Sequence, residues 1–423
     1  MGKSKISKLK SQELNSNLQL ELPQATSLMG LLQFGSQMLL AEAIKTEISV
    51  HLGRSYNQHN ASNEKNKGYR HGTRKTTIDT PIGAITYDRP RVNGARNFTS
   101  QFHIPYMRRP EEFASQVCDM YVNGVSTRKV KKALKSAAGE GIKLSKSTVS
   151  RITKKLVTEF KEWKKKDLSE LNVAYLFFDA IRVGMRVGGK SKDAIMIAYA
   201  ILTDGSFTVL SIDLSHSESN RSWGRFVSDL KLRGLNDPIL CVSDGNAGLI
   251  NALDSNFTTS LRQRCVKHKI ENILDAIPKE QQPEVRKRLN TIFYGATSLA
   301  QAKLFIKDFK KLYSKKFPSA ISILETDLNQ CLTFYLFPIN HWLKIRTSNK
   351  IERLNAELRR RLNVIGRHPS EEGCLALIYQ VSQNYSHPQQ RVKVNDLIIQ
   401  LWNKIKTDKK EMLEQLELDL YVA

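Results

Sequence analysis

Acid is what this chain has least of relative to need. Against 66 Lys and Arg it sets only 41 Asp and Glu, leaving a formal net charge of +25. Such a deficit points to a polyanionic partner, nucleic acid before a membrane surface. The deficit is uneven: residues 1–170 hold 30 basic and 15 acidic side chains, so +15 falls in the first two-fifths. Cysteine is scarce as well. Five residues (Cys118, Cys241, Cys265, Cys331, Cys374), odd in number and scattered, argue against a disulfide framework and for a reducing compartment. Long apolar runs are missing too: Leu22 to Ala41 lacks charge, but Pro23, Gln24, Ser27, Gln33, Ser36 and Gln37 make it too polar to span a bilayer. Met1-Gly2 is followed by Ile6 where a myristoylation signal needs Ser or Thr, and no signal peptide is visible. The expectation is a soluble cytoplasmic protein, nucleoid-associated, with two or more domains in its 423 residues.

What is present is organised around Asn172 to Gly184. Val173 to Phe178 is an unbroken apolar run rich in β-formers, the mark of a strand covered on both faces. Asp179 interrupts it, and Ala180 and Ile181 resume it. A carboxylate on a central strand is costly to bury unless a cation sits against it. A divalent metal ion is one such cation, and Asp244 and Glu352 are the downstream carboxylates that could converge on the same ion.

Taken in order, residues 1–25 read as a polar, mobile arm. Leu28, Leu31, Leu32, Met38, Leu39, Ile44 and Ile48 suit one or two amphipathic helices over Ser27–Leu52, for packing or self-association. Ser55 to Lys67 reads as linker, with no metal role for His51 or His59. Thr76 to Val92 alternates around Pro81-Ile82-Gly83, which predicts a hairpin burying Ile78 and Ile85. Arg70, Arg74, Lys75, Arg89 and Arg91 decorate it, as a solvated face or as phosphate contacts. A helix capped by Val125-Ser126-Thr127 carries Val130, Ala133 and Leu134 and ends near Gly139 and Gly141. A second follows Ser145, with Val149, Ile152, Leu156, Phe160 and Trp163 on one face and Lys146, Ser150, Arg151, Lys154 and Lys155 on the other. Helix, short glycine-containing turn and basic helix over 126–163 fit a helix-turn-helix, with a plain helical hairpin as the alternative.

From Leu171 the pattern turns strand-like. Ala194–Leu202 and Phe207–Leu214 flank a turn at Thr203-Asp204-Gly205-Ser206, with Asp204 as a turn residue. A helix over Asn220–Leu232 precedes a buried strand, Pro238–Val242, that delivers Asp244. A helix over Ala247–Leu253 and a strand over Ser260–Cys265 follow. Three antiparallel strands, a helix, then a parallel strand give the order of an α/β ribonuclease-H-like core with a mixed sheet. Residues 270–340 read as an all-α insertion, and Ser348–Leu362 as a helix carrying Glu352. The organisation expected is an arm and amphipathic helices over 1–67 and a DNA-binding α+β region over 68–168. The core would occupy 169–269, the insertion 270–340, and the rest of the core, with the Glu helix and C-terminal helices, 341–423.

Asp179, Asp244 and Glu352 are the set that two-metal phosphoryl-transfer chemistry needs, one carboxylate bridging two ions and one on each flank. Oxygen donors suit two Mg²⁺, or Mn²⁺, and no organic cofactor is called for. Each acid has a plainer role open to it: Glu352, three after Asn349, could close a capping box, and Asp244 before Gly245 could serve a turn or a cap. Cys265 and His268 could form a zinc half-site, but no second pair at the usual spacing accompanies them. Arg353, Arg359, Arg360 and Arg361 could be a solvated face or could reach phosphate.

Val242-Ser243-Asp244-Gly245-Asn246-Ala247-Gly248-Leu249, then Gln263-Arg264-Cys265-Val266-Lys267-His268, then Thr347 to Asn355 with Arg359-Arg360-Arg361 resemble the Mutator-type transposases of bacterial insertion sequences. Gly68-Tyr69-Arg70-His71-Gly72 and Gly124 to Val130, which includes Arg128, match the amino-terminal half of that family. The resemblance runs in order over roughly 30–390. It implies a DDE transposase with Asp179, Asp244 and Glu352 as the metal-binding triad and Cys265 and His268 as an organising element beside it. It also implies DNA partners, the terminal inverted repeats and a target, held by a homodimer or larger assembly without a membrane. Water and then the freed 3′-hydroxyl would be the nucleophiles, with no covalent enzyme–DNA intermediate. The chain departs from the family at Gly245-Asn246, where Ala-His is frequent, and at Ile270, where an aromatic is common.

Overall fold

The computed structural model describes residues 27–56, 58, 68–95, 98–103, 107–138, 141–184, 192–347, 349–365, 370–384, 394 and 396–421. The expectations for the arm 1–25, for Gly139, for Ser348 and for most of the linker, His59 included, lie outside them. Two compact units divide between Lys154 and Lys155.

In the first unit, α1 (Leu28–Leu52) is one helix, capped by Ser27, whose hydroxyl accepts from Gly30 N–H at 3.1 Å, and closed by Gly53 at φ 67°. Strands β1 (Tyr69–Thr80) and β2 (Gly83–Asn93) pair antiparallel around Pro81-Ile82, with Ile78 opposite Ile85. Among the described residues the apolar packing of the helix lies in its second half, where Ile44, Ile48 and Leu52 meet Ile85 and Tyr87. Leu28, Leu31, Leu32, Met38 and Leu39, expected on a packed stripe, are exposed. Asp79, fully buried in β1, lies within 3.2 Å of both Arg108 Nε and Arg109 Nε, the cationic company that a buried carboxylate requires.

Helices α2 (Glu111–Val122), α3 (Val130–Ala138) and α4 (Lys146–Ile152) enclose a second small core of Phe113, Val117, Val130, Leu134, Ile142, Leu144 and Val149. Ser145 caps α4 as expected, its Oγ accepting from Thr148 N–H at 3.1 Å. The helix expected to run from there through Trp163 is two: α4 stops at Ile152, and α5 (Lys154–Lys164) begins after Thr153. Two consecutive β-branched residues weaken the helix there, and the Thr153 hydroxyl donates to Ser150 O at 3.1 Å.

The second unit is built on a mixed five-stranded sheet with flanking helices, consistent with a ribonuclease-H-like core. Strands β3 (Val173–Gly184), β4 (Lys192–Leu202), β5 (Phe207–Ser215), β6 (Leu240–Ser243) and β7 (Leu261–Arg264) stand in the order β5-β4-β3-β6-β7. The β3–β4 and β4–β5 pairs are antiparallel, and β3–β6 and β6–β7 are parallel. The first two pairs are joined by short connections, whereas helices α6 (Asn220–Leu232) and α7 (Ala247–Asn256) carry the crossovers that parallel pairing demands. Both helices cover one face, where Trp223, Phe226, Val227, Leu230, Leu249 and Leu253 pack on Leu176, Phe178, Met196 and Ala198.

Side chains alternate along a strand, so Tyr175, Phe177 and Asp179 belong to the opposite face. That face receives α8 (Val266–Asp275) and the helical run expected over 270–340. The run comprises α9 (Gln282–Asn290), a π-turn (Thr291–Gly295), α10 (Leu299–Tyr313), α11 (Pro318–Glu325), α12 (Leu328–Leu332) and a 3₁₀ turn (Thr333–Leu336). Gln263 staples it to the sheet, donating to Cys331 O at 3.1 Å and accepting from Phe334 N–H at 2.8 Å. Then come α13 (Ile339–Ile345), α14 (Asn349–Ile365), α15 (Glu371–Gln383) and α16 (Asp396–Tyr421). Among the described residues no helix is long and apolar enough to cross a membrane.

Candidate active site

The two aspartates meet because of strand register. Phe177 pairs with Val242 across the parallel β3–β6 ladder, and Asp179 and Asp244 each stand two residues beyond that pair. β6 ends at Ser243, so Asp244 leaves the sheet at a strand's carboxyl end while Asp179 remains inside the longer β3. Asp244 Oδ1 accepts from Asn246 N–H at 3.0 Å, and Asn246 caps α7. Asp179 Oδ1 accepts from Ala180 N–H at 2.8 Å. Burial holds the Asp179 carboxyl above its ordinary range, and the Asp244 charge adds to that. The Ala180 N–H, His268 and Arg359 pull the other way.

Glu352 reaches the same face on α14. Leu354, Leu358 and Leu362 bury one side of that helix. Asn355, one turn beyond Glu352, is also buried and donates from Nδ2 to Asp179 Oδ2 at 2.5 Å. The Glu352 carboxylate itself is engaged elsewhere. Its Oε2 pairs with Lys267 Nζ at 2.5 Å, and its Oε1 is buried without a hydrogen-bond partner. The structure thus brings Asp179 and Asp244 side by side and sets the Glu352 helix over them, with Glu352 itself turned to a lysine. Among the described residues no three His, Cys, Asp or Glu side chains converge as a ready metal site. The two adjacent oxygen donors fit a hard cation, and the orphaned Glu352 oxygen has the same donor chemistry.

Cys265 and His268 sit beside this pair. Cys265 follows β7 and is tied back to β6 by its N–H, which donates to Ser243 O at 2.8 Å. The His268 imidazole is pushed up to about 9, first by its hydrogen bond with Cys265 and then by the charges of Cys265, Asp179 and Asp244. Burial opposes this rise, which favours the protonated ring beside the two carboxylates. Arg264, opposite Ser243 in the β6–β7 ladder, lays its guanidinium against Gly245 and reaches Asp327 Oδ2 at 3.5 Å.

Comparison with known proteins bears on this geometry directly. The model of the family described as "Transposase, Mutator family" matches residues 8–390. The chain belongs to the Mutator family of transposases. Its relatives in that family include the transposase of insertion sequence element ISRM5 from Rhizobium meliloti (strain 1021), 30% identical over 85% of this chain and 89% of the relative. The transposase of IS406 from Burkholderia multivorans is 32% identical over 81% of this chain and 87% of its own. That of IS256 in transposon Tn4001 from Staphylococcus aureus is 30% identical over 74% and 80%.

In this Mutator-family chain the residues singled out from sequence for DNA contact differ in their surroundings. Arg74, Arg128, Lys146, Ser150, Arg151, Lys154 and Lys155 are exposed. Arg70 instead donates to Ser49 Oγ, Arg54 O and Ser55 O, a tie between the hairpin and the end of α1. Arg360 and Arg361 both pair with Glu357, at 2.7 and 2.6 Å, while the Arg359 charge acts on Asp179. Sequence reasoning gave no role to Lys267, Arg264, Tyr199 or Asn355. For Asn355 a signal existed: it is an amide adjoining the apolar stripe of Leu354 and Leu358, where a polar side chain must have a partner.

Proposed function

We propose that the chain is a DDE transposase with a ribonuclease-H-like catalytic core, which binds terminal inverted repeats, cleaves phosphodiesters at the element ends and joins the freed 3′-hydroxyl to target DNA. The observation that carries this reading is the register that sets Asp179 on β3 beside Asp244 at the end of β6, with the helix that bears Glu352 tied to Asp179 through Asn355. Asp179 and Asp244 would hold Mg²⁺ or Mn²⁺, which when bound stabilises charge on the attacking and leaving oxygens. Glu352 completes the donor set by leaving Lys267, whose ammonium is then free to face phosphate. His268 supplies positive charge behind the two aspartates and keeps them compatible before DNA arrives. Arg359, on the same face of α14 as Glu352 and Asn355, is placed to meet the backbone of a bound strand.

End recognition falls to the first unit. Arg128 just before α3 and the exposed face of α4, with Lys146, Ser150 and Arg151, would enter a groove as a helix-turn-helix, with Lys154 and Arg74 on phosphate. Pairing two ends calls for a homodimer or larger assembly. Asp179→Asn is the test: cleavage and joining in Mg²⁺ should vanish while end binding persists, and normal joining by that variant would overturn the assignment. The second reading, a catalytically silent DNA-binding regulator, draws support from the Lys267–Glu352 pair. It requires that the unaltered chain bind ends in Mg²⁺ and leave them uncut.

A further inference from the structure

Asp179 is the half-buried end of a chain of polar groups that crosses from the sheet to α14. Tyr199, fully buried on β4, donates its hydroxyl to Asn355 Oδ1 at 2.6 Å, and Asn355 Nδ2 donates to Asp179 Oδ2 at 2.5 Å. Tyr199 and Asp179 come from adjacent strands, β4 being paired antiparallel to β3 through Ile197 opposite Asp179. Two residues from Ile197 along β4, Tyr199 shares its face of the sheet, and Ile197 shares that of Asp179. A phenol hydroxyl that donates fixes the amide's oxygen, so the amide's N–H₂ must face the carboxylate.

We infer that Asn355 is a positioning residue for the carboxylate site. Oriented by Tyr199, it fixes the rotamer of Asp179 and sets the height of α14, and with it Glu352, over the sheet. The inference rests on the proposed role of Asp179. Three residues along a helix rise about 4.5 Å, so a bond from Asn355 to Asp179 holds Glu352 within one turn of that carboxylate. With Oδ1 taking the Ala180 N–H and Oδ2 the Asn355 amide, Asp179 has both oxygens directed by short bonds. A carboxylate free to rotate would have to be ordered each time an ion bound, which costs affinity. Removing the amide would take from the Tyr199 hydroxyl its acceptor, and removing the hydroxyl would take from Asn355 Oδ1 its donor.

The test uses the full chain and Mn²⁺ alone, titrated by the loss of its free-ion electron paramagnetic resonance signal without DNA. Asn355→Ala should raise the Mn²⁺ Kd about tenfold, and Tyr199→Phe, which removes one oxygen and frees the amide to turn, about threefold. End binding without metal should stay as in the parent. If Asn355→Ala does not fold, Tyr199→Phe decides alone. Mn²⁺ affinity within a factor of 1.5 of the parent for the variants that fold, even with a lowered melting temperature, means the amide is structural only, and the inference falls. Asp179→Asn separates the two levels. Parent-like Mn²⁺ binding by Asp179→Asn removes the carboxylate site and the positioning role with it. Loss of binding in Asp179→Asn with no change in the Asn355 and Tyr199 variants removes the positioning role alone.

Discussion

Gly245 follows Asp244 directly, and replacing it with alanine tests how the second aspartate is held. The residue sits at φ 88°, and an added Cβ would fall 1.2 Å from Arg264 Nη1 and 2.1 Å from Arg264 Cζ. Two costs follow. Holding a non-glycine residue in that backbone region costs roughly 1–3 kcal/mol, of which the stiffer unfolded chain returns about 0.4–1 kcal/mol. The guanidinium must also leave a site where it is nine-tenths buried, giving up its approach to Asp327, for a further 1–2 kcal/mol or so by analogy with overpacked cores. A net loss of about 3 kcal/mol should lower the melting temperature by roughly 6–12 °C for a unit of this size. The assay is thermal unfolding of the full chain without metal, in the parent and in an Arg264→Ala background. If the clash is the cause, Gly245→Ala should cost about 1–2 kcal/mol less once Arg264 is gone, a coupling that the double-mutant cycle isolates. A melting temperature within 2 °C of the parent, or equal costs in both backgrounds, would refute the reasoning.

Two other outcomes follow from the charges. His268 is raised from 6.5 to about 9 in the folded chain, so its stabilisation is complete below pH 6.5 and is lost as pH climbs through about 9. At most roughly 3 kcal/mol is at stake, and the melting temperature of the parent should fall relative to His268→Gln over that window. Parallel pH profiles for the two proteins would show that the imidazole carries no linked proton. Arg151→Ala with Lys154→Ala should weaken end binding and flatten its log–log salt dependence by about 2, since each lost phosphate contact removes close to one counterion. An unchanged slope takes those helices out of the interface.

The fold was legible where the pattern is local. The unbroken run Val173–Phe178 marked the central strand, and Thr203 to Ser206 marked a turn, closed by Asp204 Oδ1 accepting from Ser206 N–H at 2.8 Å. The inward positions of α6 were readable from spacing alone, with Trp223, Phe226, Val227 and Leu230 all buried. Less was legible where neighbours decide. The stripe from Leu28 to Leu39 has the spacing of a face for packing or self-association, and among the described residues it is the second half of α1 that meets the hairpin's apolar side. Ser145 to Trp163 keeps a helical period throughout, and the period says nothing of the local competition for hydrogen bonds at Thr153 that divides it.

The candidate site shows the same division more sharply. Asp179 was conspicuous because a charge interrupts an apolar strand, and Asp244 because it ends one. What sequence spacing does not encode is the identity of the partners, for these lie far off along the chain. Lys267 meets Glu352 across 85 residues, Tyr199 meets Asn355 across 156, and Asn355 meets Asp179 across 176. Such contacts are selected by the register of β3 against β4 and β6, and by the angle at which α14 lies on the sheet. A buried carboxylate must find a donor or a cation, so the existence of a partner for Asp179 was predictable and its identity was not. For Glu352 the position is reversed. Its helix was readable from Leu354, Leu358 and Leu362, but the lysine that its carboxylate meets, Lys267, was not. The lysine beside Glu352 and the amide beside Asp179 therefore answer the same kind of need, a cation or a donor for an acid withdrawn in part from water.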